Sequence, residues 1–218
     1  MDEQPLQQQR PWLNRYPDGV PTHLDLTRHA SLADLLQESF RQHAALPAMR
    51  FMGRSWSFGE LDRLSRRFAA FAQSQGLQAG DRVAVMLPNV PQYPVVVCGL
   101  IRAGLVVVNV NPLYTAREME HQLQDADVKL LVVLENFAHT LQDVIGETSV
   151  RTVVTTEVGD LLPTLKRLAT NAVVKHVKKM VPAWRLPGSV CLRDGLAAGY
   201  AQQLDAVPLG HDDLAFLQ

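Results

Sequence analysis

Short apolar runs alternate with amphipathic stretches through the middle of this 218-residue chain. Runs of this length, bounded by glycine, proline or charged residues, are typical of strands buried on both faces of a parallel sheet. The pattern predicts strands at 83–87, 105–109, 130–134 and 152–155, and helices at 92–103, 115–125 and 137–145. This alternation predicts an α/β fold in which helices flank the layers of a parallel sheet.

The residues before this region predict an arm, two helices and a hairpin. Several prolines within residues 1–28 predict an extended N-terminal arm. A helix is predicted after Ser31, and a hairpin follows it. Ser57 and Glu60 have the spacing of a capping box, which predicts a helix that ends before Gly76. We divide the chain into the arm (1–28), an α/β subdomain (29–156), a basic helical insertion (157–193) and a return segment (194–218).

Residues 161–193 are the most distinctive segment, because all of its formal charges are positive. The segment has seven Lys and Arg residues and no acidic residue between Asp160 and Asp194. Its first leucines share one face of a predicted helix. Two interpretations remain open: a basic amphipathic helix that lies on an anionic membrane, or a solvated helix that packs on the rest of the protein. The predicted membrane-contact residues are Leu161, Leu165, Lys166, Arg167, Leu168, Lys175, Lys178 and Lys179.

Candidate catalytic chemistry is sparse in this sequence. It contains neither G-x-G-x-x-G nor a Walker A pattern, and most of its glycines stand singly where turns are expected. The stretch 109–115 follows a predicted strand, where parallel sheets bind ligands, but Asn111 before a proline and Thr115 before a helix favour a turn. We assign no catalytic, cofactor-binding or metal-binding residue.

Composition narrows the classes of protein that remain. The net charge of −1 gives no indication of nucleic-acid binding. Cys98 and Cys191 lie far apart in apolar surroundings and are predicted to be reduced structural thiols. The polar, acidic start does not resemble a secretory signal, and no apolar run reaches the roughly 20 residues that span a bilayer. We therefore expect a cytoplasmic protein, peripheral to the inner face of the cell membrane if the basic segment binds there.

Several motifs in a fixed order resemble one known family. These are the aromatic-x-Glu-Leu motif at 58–61, the turn and strand at 77–84, Pro88-Asn89, the run at 102–127 and the segment 157–187. Together they resemble the adenylate-forming (AMP-binding) enzymes, and within them the bacterial long-chain fatty-acid CoA ligases. The resemblance covers nearly the whole chain, and it implies part of the large N-terminal domain of such an enzyme, with a basic helical insertion.

The resemblance implies a parent activity and its partners. Fatty acid, ATP and CoA would give acyl-CoA, AMP and pyrophosphate through an acyl-adenylate, with ATP and Mg²⁺ as cofactors of the full-length enzyme. In the family, a strand like 212–218 leads into a phosphate loop, so we expect an N-terminal portion that is inactive and needs no cofactor alone. Residues 214–217 predict a strand that is buried in a complete sheet, and we expect the next strands and helices of that sheet to be absent from this chain. An exposed apolar patch that favours a homodimer is therefore expected. The alternatives are a non-catalytic membrane-associated or dimerising α/β module, and a truncated gene product without independent function.

Overall fold

The computed structural model describes residues 10–23, 25 and 27–218. Residues 1–9, 24 and 26 of the predicted arm therefore lie outside the described residues. The described part of the arm is not extended throughout, because Pro11–Arg15 forms a 3-10 helix. Its proline at the first turn lacks the N–H that a helix start leaves without a partner, so a short helix is compatible with this proline-rich sequence.

Helices and strands follow the order that the hydrophobic pattern predicts. The helices are α1 (Leu32–Gln42), α2 (Phe58–Ser74), α3 (Gln92–Arg102), α4 (Ala116–Asp125), α5 (Ala138–Gln142), α6 (Thr164–Ala172) and α7 (Leu192–Tyr200). The strands are β1 (Pro47–Phe51), β2 (Arg54–Ser57), β3 (Arg82–Met86), β4 (Val106–Asn109), β5 (Leu130–Leu134), β6 (Thr152–Thr156), β7 (Val190–Cys191) and β8 (Phe216–Leu217). β1 and β2 form an antiparallel hairpin, and the other strands form a parallel sheet in the order β7-β6-β5-β3-β4-β8. The predicted α/β fold is confirmed.

The parallel sheet is buried on both faces, and successive residues of a strand contribute to different cores. Val83 and Val85 of β3 pack in one core with apolar residues of α1, α2, α3 and α7. Ala84 and Met86 pack in the other core with residues of α4 and α5, among them Met119. The two-residue period of the strand therefore places helices on both faces of the sheet.

Two capping boxes fix the starts of α2 and α4. The Ser57 hydroxyl accepts a hydrogen bond from the Glu60 amide (3.2 Å), and the Glu60 carboxylate accepts one from the Ser57 amide (2.9 Å). Thr115 and Glu118 repeat the arrangement at α4, with amide contacts of 3.4 and 2.8 Å. Each pair satisfies two amides that a helix start would otherwise leave without acceptors. The capping box predicted from Ser57 and Glu60 is confirmed.

The helix predicted at 137–145 is shorter in the structure. Only α5 is α-helical, and 3-10 turns flank it at Glu135–Phe137 and Ile145–Glu147. Its buried residues follow one another at intervals of three: Ala138, Leu141 and Val144. These residues keep one buried side through the α-helix and into the turn that follows it.

The basic insertion is helical over only part of its length. α6 continues as a π-helical turn at Val173–Val177, and residues 178–189 are not helical. β7 then pairs with β6, so the end of the insertion belongs to the main sheet. The segment division stays a prediction, although α7 crosses the boundary placed at residue 193.

The segment 214–217 contains a short edge strand. β8 contains only Phe216 and Leu217 and pairs with β4 alone. Leu214 is 65% exposed and Phe216 is 38% exposed, which agrees with the exposed apolar patch expected at this end of the chain. An edge strand has one neighbour in place of two, which leaves its side chains partly in contact with solvent. The homodimer expected at this edge stays a prediction.

Helix α2 lies between α3 and α7 at distances that glycine allows. A Cβ atom on Gly199 of α7 would lie 1.9 Å from the Arg67 carbonyl oxygen of α2. A Cβ atom on Gly99 of α3 would lie 2.8 Å from the Ser65 carbonyl oxygen, on the same helix. Contacts this short leave no space for a side chain, so these glycines set the spacing of three helices on one face of the sheet.

We expect Gly199→Ala to lower the free energy of unfolding by about 2–3 kcal/mol, because α7 must move away from α2 to admit a methyl group. Urea unfolding followed by circular dichroism measures this change. Gly146→Ala is the matched control, since a Cβ atom there meets nothing within 4 Å. Equal stability of the two variants would contradict the proposed packing constraint.

Candidate functional site at the carboxyl edge of the sheet

Polar side chains collect at the carboxyl edge of the sheet, near the point where the chain reverses its winding direction. β3 leads to β4 on one side, and β5 leads to β6 on the other, so β3 and β5 flank a topological switch point. Open parallel sheets bind their ligands at such points. The residues that gather here, which we call the strand-end cluster, are Gln92, Glu135, Asn136, Thr156, Glu157, Asp160, Asn171 and Lys175.

Gln92 and Asp160 connect the carboxyl ends of β3 and β6. The side-chain amide of Gln92 donates to the Glu157 carbonyl oxygen (2.7 Å) and to the Thr156 hydroxyl oxygen (3.3 Å). One Asp160 carboxylate oxygen accepts hydrogen bonds from the Thr156 hydroxyl and the Glu157 amide, both at 2.8 Å. Gln92, Thr156 and Asp160 are buried, so these bonds fix the turn after β6 in a place that water does not reach.

Asn171 and Lys175 attach α6 and the π-helical turn to this edge. The Asn171 side chain accepts from the Gly159 amide and donates to a Glu157 carboxylate oxygen, both at 2.8 Å. Lys175 Nζ lies 3.5 Å from a carboxylate oxygen of Glu135, which is buried. Residues four apart share one side of a helix, so Asn171 and Lys175 present a polar side toward the sheet.

Charge in the cluster is unbalanced, with carboxylates of Glu135, Glu157 and Asp160 beside the ammonium group of Lys175. Burial raises the pKa of Glu135, and the charge of Glu157 raises it further, while Lys175 acts in the opposite direction. The cluster contains no Ser, Cys or His. Its side chains are therefore better suited to orienting neighbouring groups and binding protons than to nucleophilic attack.

We expect Glu135→Gln to gain stability relative to the unchanged protein as the pH rises. A folded-state pKa above the ordinary value of 4.5 means that Glu135 contributes stability below that pH and loses it as the pH rises through the folded pKa. Because glutamine stays neutral at every pH, the variant does not lose this stability as the pH rises. Urea unfolding of both proteins at a series of pH values from below 4.5 to neutral measures the difference.

Glu118→Gln is the control of opposite sign. Hydrogen bonds from Thr115 lower the pKa of Glu118, so its contribution is present above its ordinary pKa and is lost as the pH falls. The glutamine variant should therefore lose stability relative to the unchanged protein as the pH rises. A Glu135→Gln difference that is flat with pH would show that this carboxyl group is not perturbed.

The stretch 109–115 forms a turn. The Asn109 side chain accepts a hydrogen bond from the Tyr93 hydroxyl (3.0 Å). The Asn111 side chain accepts from the Leu113 amide (3.0 Å), as in turns built on asparagine. Thr115 caps α4. The polar groups of this stretch thus have local partners, which agrees with the turn that its sequence favours.

The predicted membrane-contact residues fall into two groups in the structure. Leu165, Lys166, Leu168, Lys175, Lys178 and Lys179 are exposed, and Leu161 and Arg167 are partly buried. Leu161 precedes α6 and packs against the core, and its carbonyl oxygen accepts from Arg54 (3.2 Å). The predicted helical face therefore begins too early, because α6 starts at Thr164 after a proline.

The charges of this segment also divide. Lys166 donates to the Met52 carbonyl oxygen, and Lys175 pairs with Glu135, so both ammonium groups have partners within the protein. In the described part of the chain, no group of three or more His, Cys, Asp or Glu residues could hold a metal ion. No helix among the described residues is long and apolar enough to cross a membrane.

Among the members of the strand-end cluster, only Lys175 is predicted from the sequence to have a role. A signal was present: Glu135 directly follows the predicted strand 130–134, and Thr156 and Glu157 directly follow 152–155. Polar residues at the carboxyl ends of predicted parallel strands indicate a shared edge. The part played by Gln92 and Asn171 depends on three-dimensional contacts that spacing alone does not give.

Comparisons with known proteins define the class. The sequence model of the AMP-binding enzyme family matches residues 36–218. In structure, the long-chain-fatty-acid-CoA ligase of Archaeoglobus fulgidus matches with a TM-score of 0.65 and 21% identity, over 93% of this chain and 36% of that one. An anthranilate CoA ligase bound to anthranoyl-AMP matches with a TM-score of 0.68 and 16% identity, over 88% and 32%. These structures share the fold of the α/β domain.

The chain belongs to the AMP-binding enzyme family. The long-chain-fatty-acid–CoA ligase of Escherichia coli O6:H1 (strain CFT073) is 48% identical over 208 residues, which cover 95% of this chain and 37% of that protein. The corresponding ligase of Haemophilus influenzae is 45% identical with the same coverage. The chain therefore spans little more than a third of the length of these relatives. The predicted resemblance to adenylate-forming enzymes is confirmed.

Proposed function

We propose that this chain is the N-terminal part of an AMP-forming long-chain fatty-acid CoA ligase. The parent reaction joins fatty acid, ATP and CoA into acyl-CoA, AMP and pyrophosphate through an acyl-adenylate. The observation that carries the proposal is the 48% identity with a long-chain-fatty-acid–CoA ligase over 95% of this chain. The strand-end cluster at the switch point supports it, because ligands of open parallel sheets bind along that edge.

The residues of this chain do not fit ATP and Mg²⁺ by themselves. The sequence has no glycine-rich phosphate-loop pattern, and the described residues gather no set of metal ligands. We therefore assign ATP and Mg²⁺ to other parts of a full-length enzyme. The role proposed for these residues is structural: they form the sheet and hold the loops at its carboxyl edge.

We expect the isolated chain to release no pyrophosphate above a boiled control when it is incubated with palmitate, ATP, Mg²⁺ and CoA. The physical reason is that attack of the carboxylate on the α-phosphorus of ATP, with pyrophosphate leaving, needs backbone donors and cations around the developing charge, and these residues supply no such set. A coupled pyrophosphate assay makes the measurement. Turnover by the chain alone would place the active site within it and overturn this assignment.

A chimera tests the proposed parent activity directly. In it, this chain replaces the matching 208 residues of the Escherichia coli ligase. If the chain is the N-terminal part of such a ligase, the chimera should form palmitoyl-CoA. A Gly199→Ala chimera is the matched control, since it weakens the packing of α2 and α7 and should lose heat stability before it loses turnover at low temperature. A folded chimera without turnover would contradict the proposal.

The second candidate function is non-catalytic: the chain would have the same fold and act as a membrane-associated or dimerising α/β module. The observation that favours it is the exposed apolar side of α6, with Leu165 and Leu168 in contact with solvent. Two results together would favour this module: the isolated chain is stable and binds vesicles, and the chimera folds but makes no acyl-CoA. For either function, we place the protein in the cytoplasm, peripheral to the inner face of the cell membrane.

A further inference from the structure

The helix formed by α6 and the π-helical turn is oriented with its polar side toward the protein. Asn171 is buried, with hydrogen bonds to the loop that follows β6. Lys175 reaches Glu135, and the carbonyl oxygen of Met180 just beyond accepts from Asn136 (2.9 Å). Helices on a soluble protein normally present an apolar stripe to the core and polar residues to water, so this arrangement is the reverse of the usual one.

The opposite side of the same helix is apolar and in contact with solvent. Leu165 is 85% exposed and Val177 is 73% exposed, and Ala169 and Ala172 between them are exposed as well. The outer face consists of Leu165, Leu168, Val173 and Val177 on this helix, together with Met180 on the irregular segment that follows it; His176, between Val173 and Val177 in the sequence, is exposed as well. Scattered apolar residues at a surface need no explanation, but a stripe that continues along a helix for about 20 Å marks an interaction site.

Basic residues border one end of the outer face. Lys178 and Lys179 are exposed immediately after Val177, and Arg185 follows on the same irregular segment. No acidic residue lies between Asp160 and Asp194 in the sequence. A partner that suits this surface is therefore apolar where it meets the helix and negatively charged at its border.

We propose that the outer face docks onto an anionic lipid bilayer, with the leucines, Val177 and Met180 in the headgroup boundary and Lys178 and Lys179 at the lipid phosphates. A helix that lies in the plane of the interface needs this combination of an apolar side and flanking positive charge. The inference rests on the peripheral location proposed above and names the partner surface. It also turns the carboxyl edge of the sheet toward the bilayer, because the inner side of the helix contacts Glu135 and Glu157 at that edge.

The structure also corrects which residues take part. Leu161 is packed in the protein, and Lys166 and Lys175 have partners there, so these predicted contacts are excluded from the docking face. The exposed apolar residues of the outer face and the exposed Lys178 and Lys179 remain available for docking.

Flotation of the full 218-residue chain with vesicles tests the proposal. The vesicles contain phosphatidylglycerol mixed with phosphatidylethanolamine, and vesicles of phosphatidylcholine alone serve for comparison. The double variant Leu165→Ser/Val177→Ser should bind at least about tenfold more weakly, since both apolar side chains would otherwise leave water. The double variant Lys178→Gln/Lys179→Gln should weaken binding about fivefold per residue on the anionic vesicles only, and the remaining binding should depend less on salt.

Leu113→Ser is the matched control. Leu113 is 82% exposed on the loop before α4, so the substitution removes a comparable side chain elsewhere on the surface and should leave binding unchanged. Circular dichroism checks that every variant keeps its fold. Unchanged binding by the Leu165→Ser/Val177→Ser variant would overturn the proposal. The proposal would also be overturned if that variant lost self-association but kept vesicle binding, because the outer face would then be the interface with a second copy of the chain. The result is independent of pyrophosphate release, so failure here leaves the proposed ligase function standing.

Discussion

Burial of the parallel sheet on both faces is the constraint on which the rest of this structure depends. Leu130, Leu131, Val132 and Val133 of β5 have no exposed surface, and the alternating residues of β3 serve two separate cores. A strand with no solvent side needs helices above and below it, which the connections between parallel strands provide. The close approach of α2 to α3 and α7 follows from this need, since these helices share one face with α1 and glycines such as Gly199 allow the short distances between them. Two sealed faces also leave only the edges of the sheet for polar chemistry.

The strand-end cluster is a consequence of that geometry. When a buried strand ends, its last amides and carbonyl groups lose their ladder partners in a region that water does not reach, and side chains must replace them. Gln92 and Asp160 do so for the turn after β6, with four hydrogen bonds to Thr156 and Glu157 between them. Burial of Glu135 at this edge raises its pKa, and the charge of the neighbouring Glu157 raises it further. A polar edge at a switch point thus arises from structural requirements before any ligand is considered.

Much of the fold could be predicted because each signal was local. Strand runs such as 130–134 and the capping box of Ser57 with Glu60 depend on neighbouring residues only, and the structure has both. The errors lie where distant contacts decide. The helix predicted at 137–145 is divided between α5 and a 3-10 turn, and its buried residues pack with strand residues that are distant in the chain, such as Ala84. The strand-end cluster needed residues such as Gln92 and Asn171, whose partners lie 65 and 14 positions away in the chain. Periodicity along the sequence contains no information about such pairs.

Helix α6 shows the limit of amphipathicity as a guide. The sequence correctly indicates that Leu165 and Leu168 share a side, but the same pattern would suit a helix that packs on a core and one that faces outward. What decides between them is the surface beneath the helix, here a carboxyl edge occupied by Glu135 and Glu157. Carboxylates at that edge attract Asn171 and Lys175 and leave the leucines without an apolar surface in the protein. The helix is then held by a few hydrogen bonds, each of which contributes roughly 1 kcal/mol net to stability. Burial of its leucines in an apolar core would contribute more. Contact with an external apolar surface would therefore stabilise this helix by burying its exposed leucines.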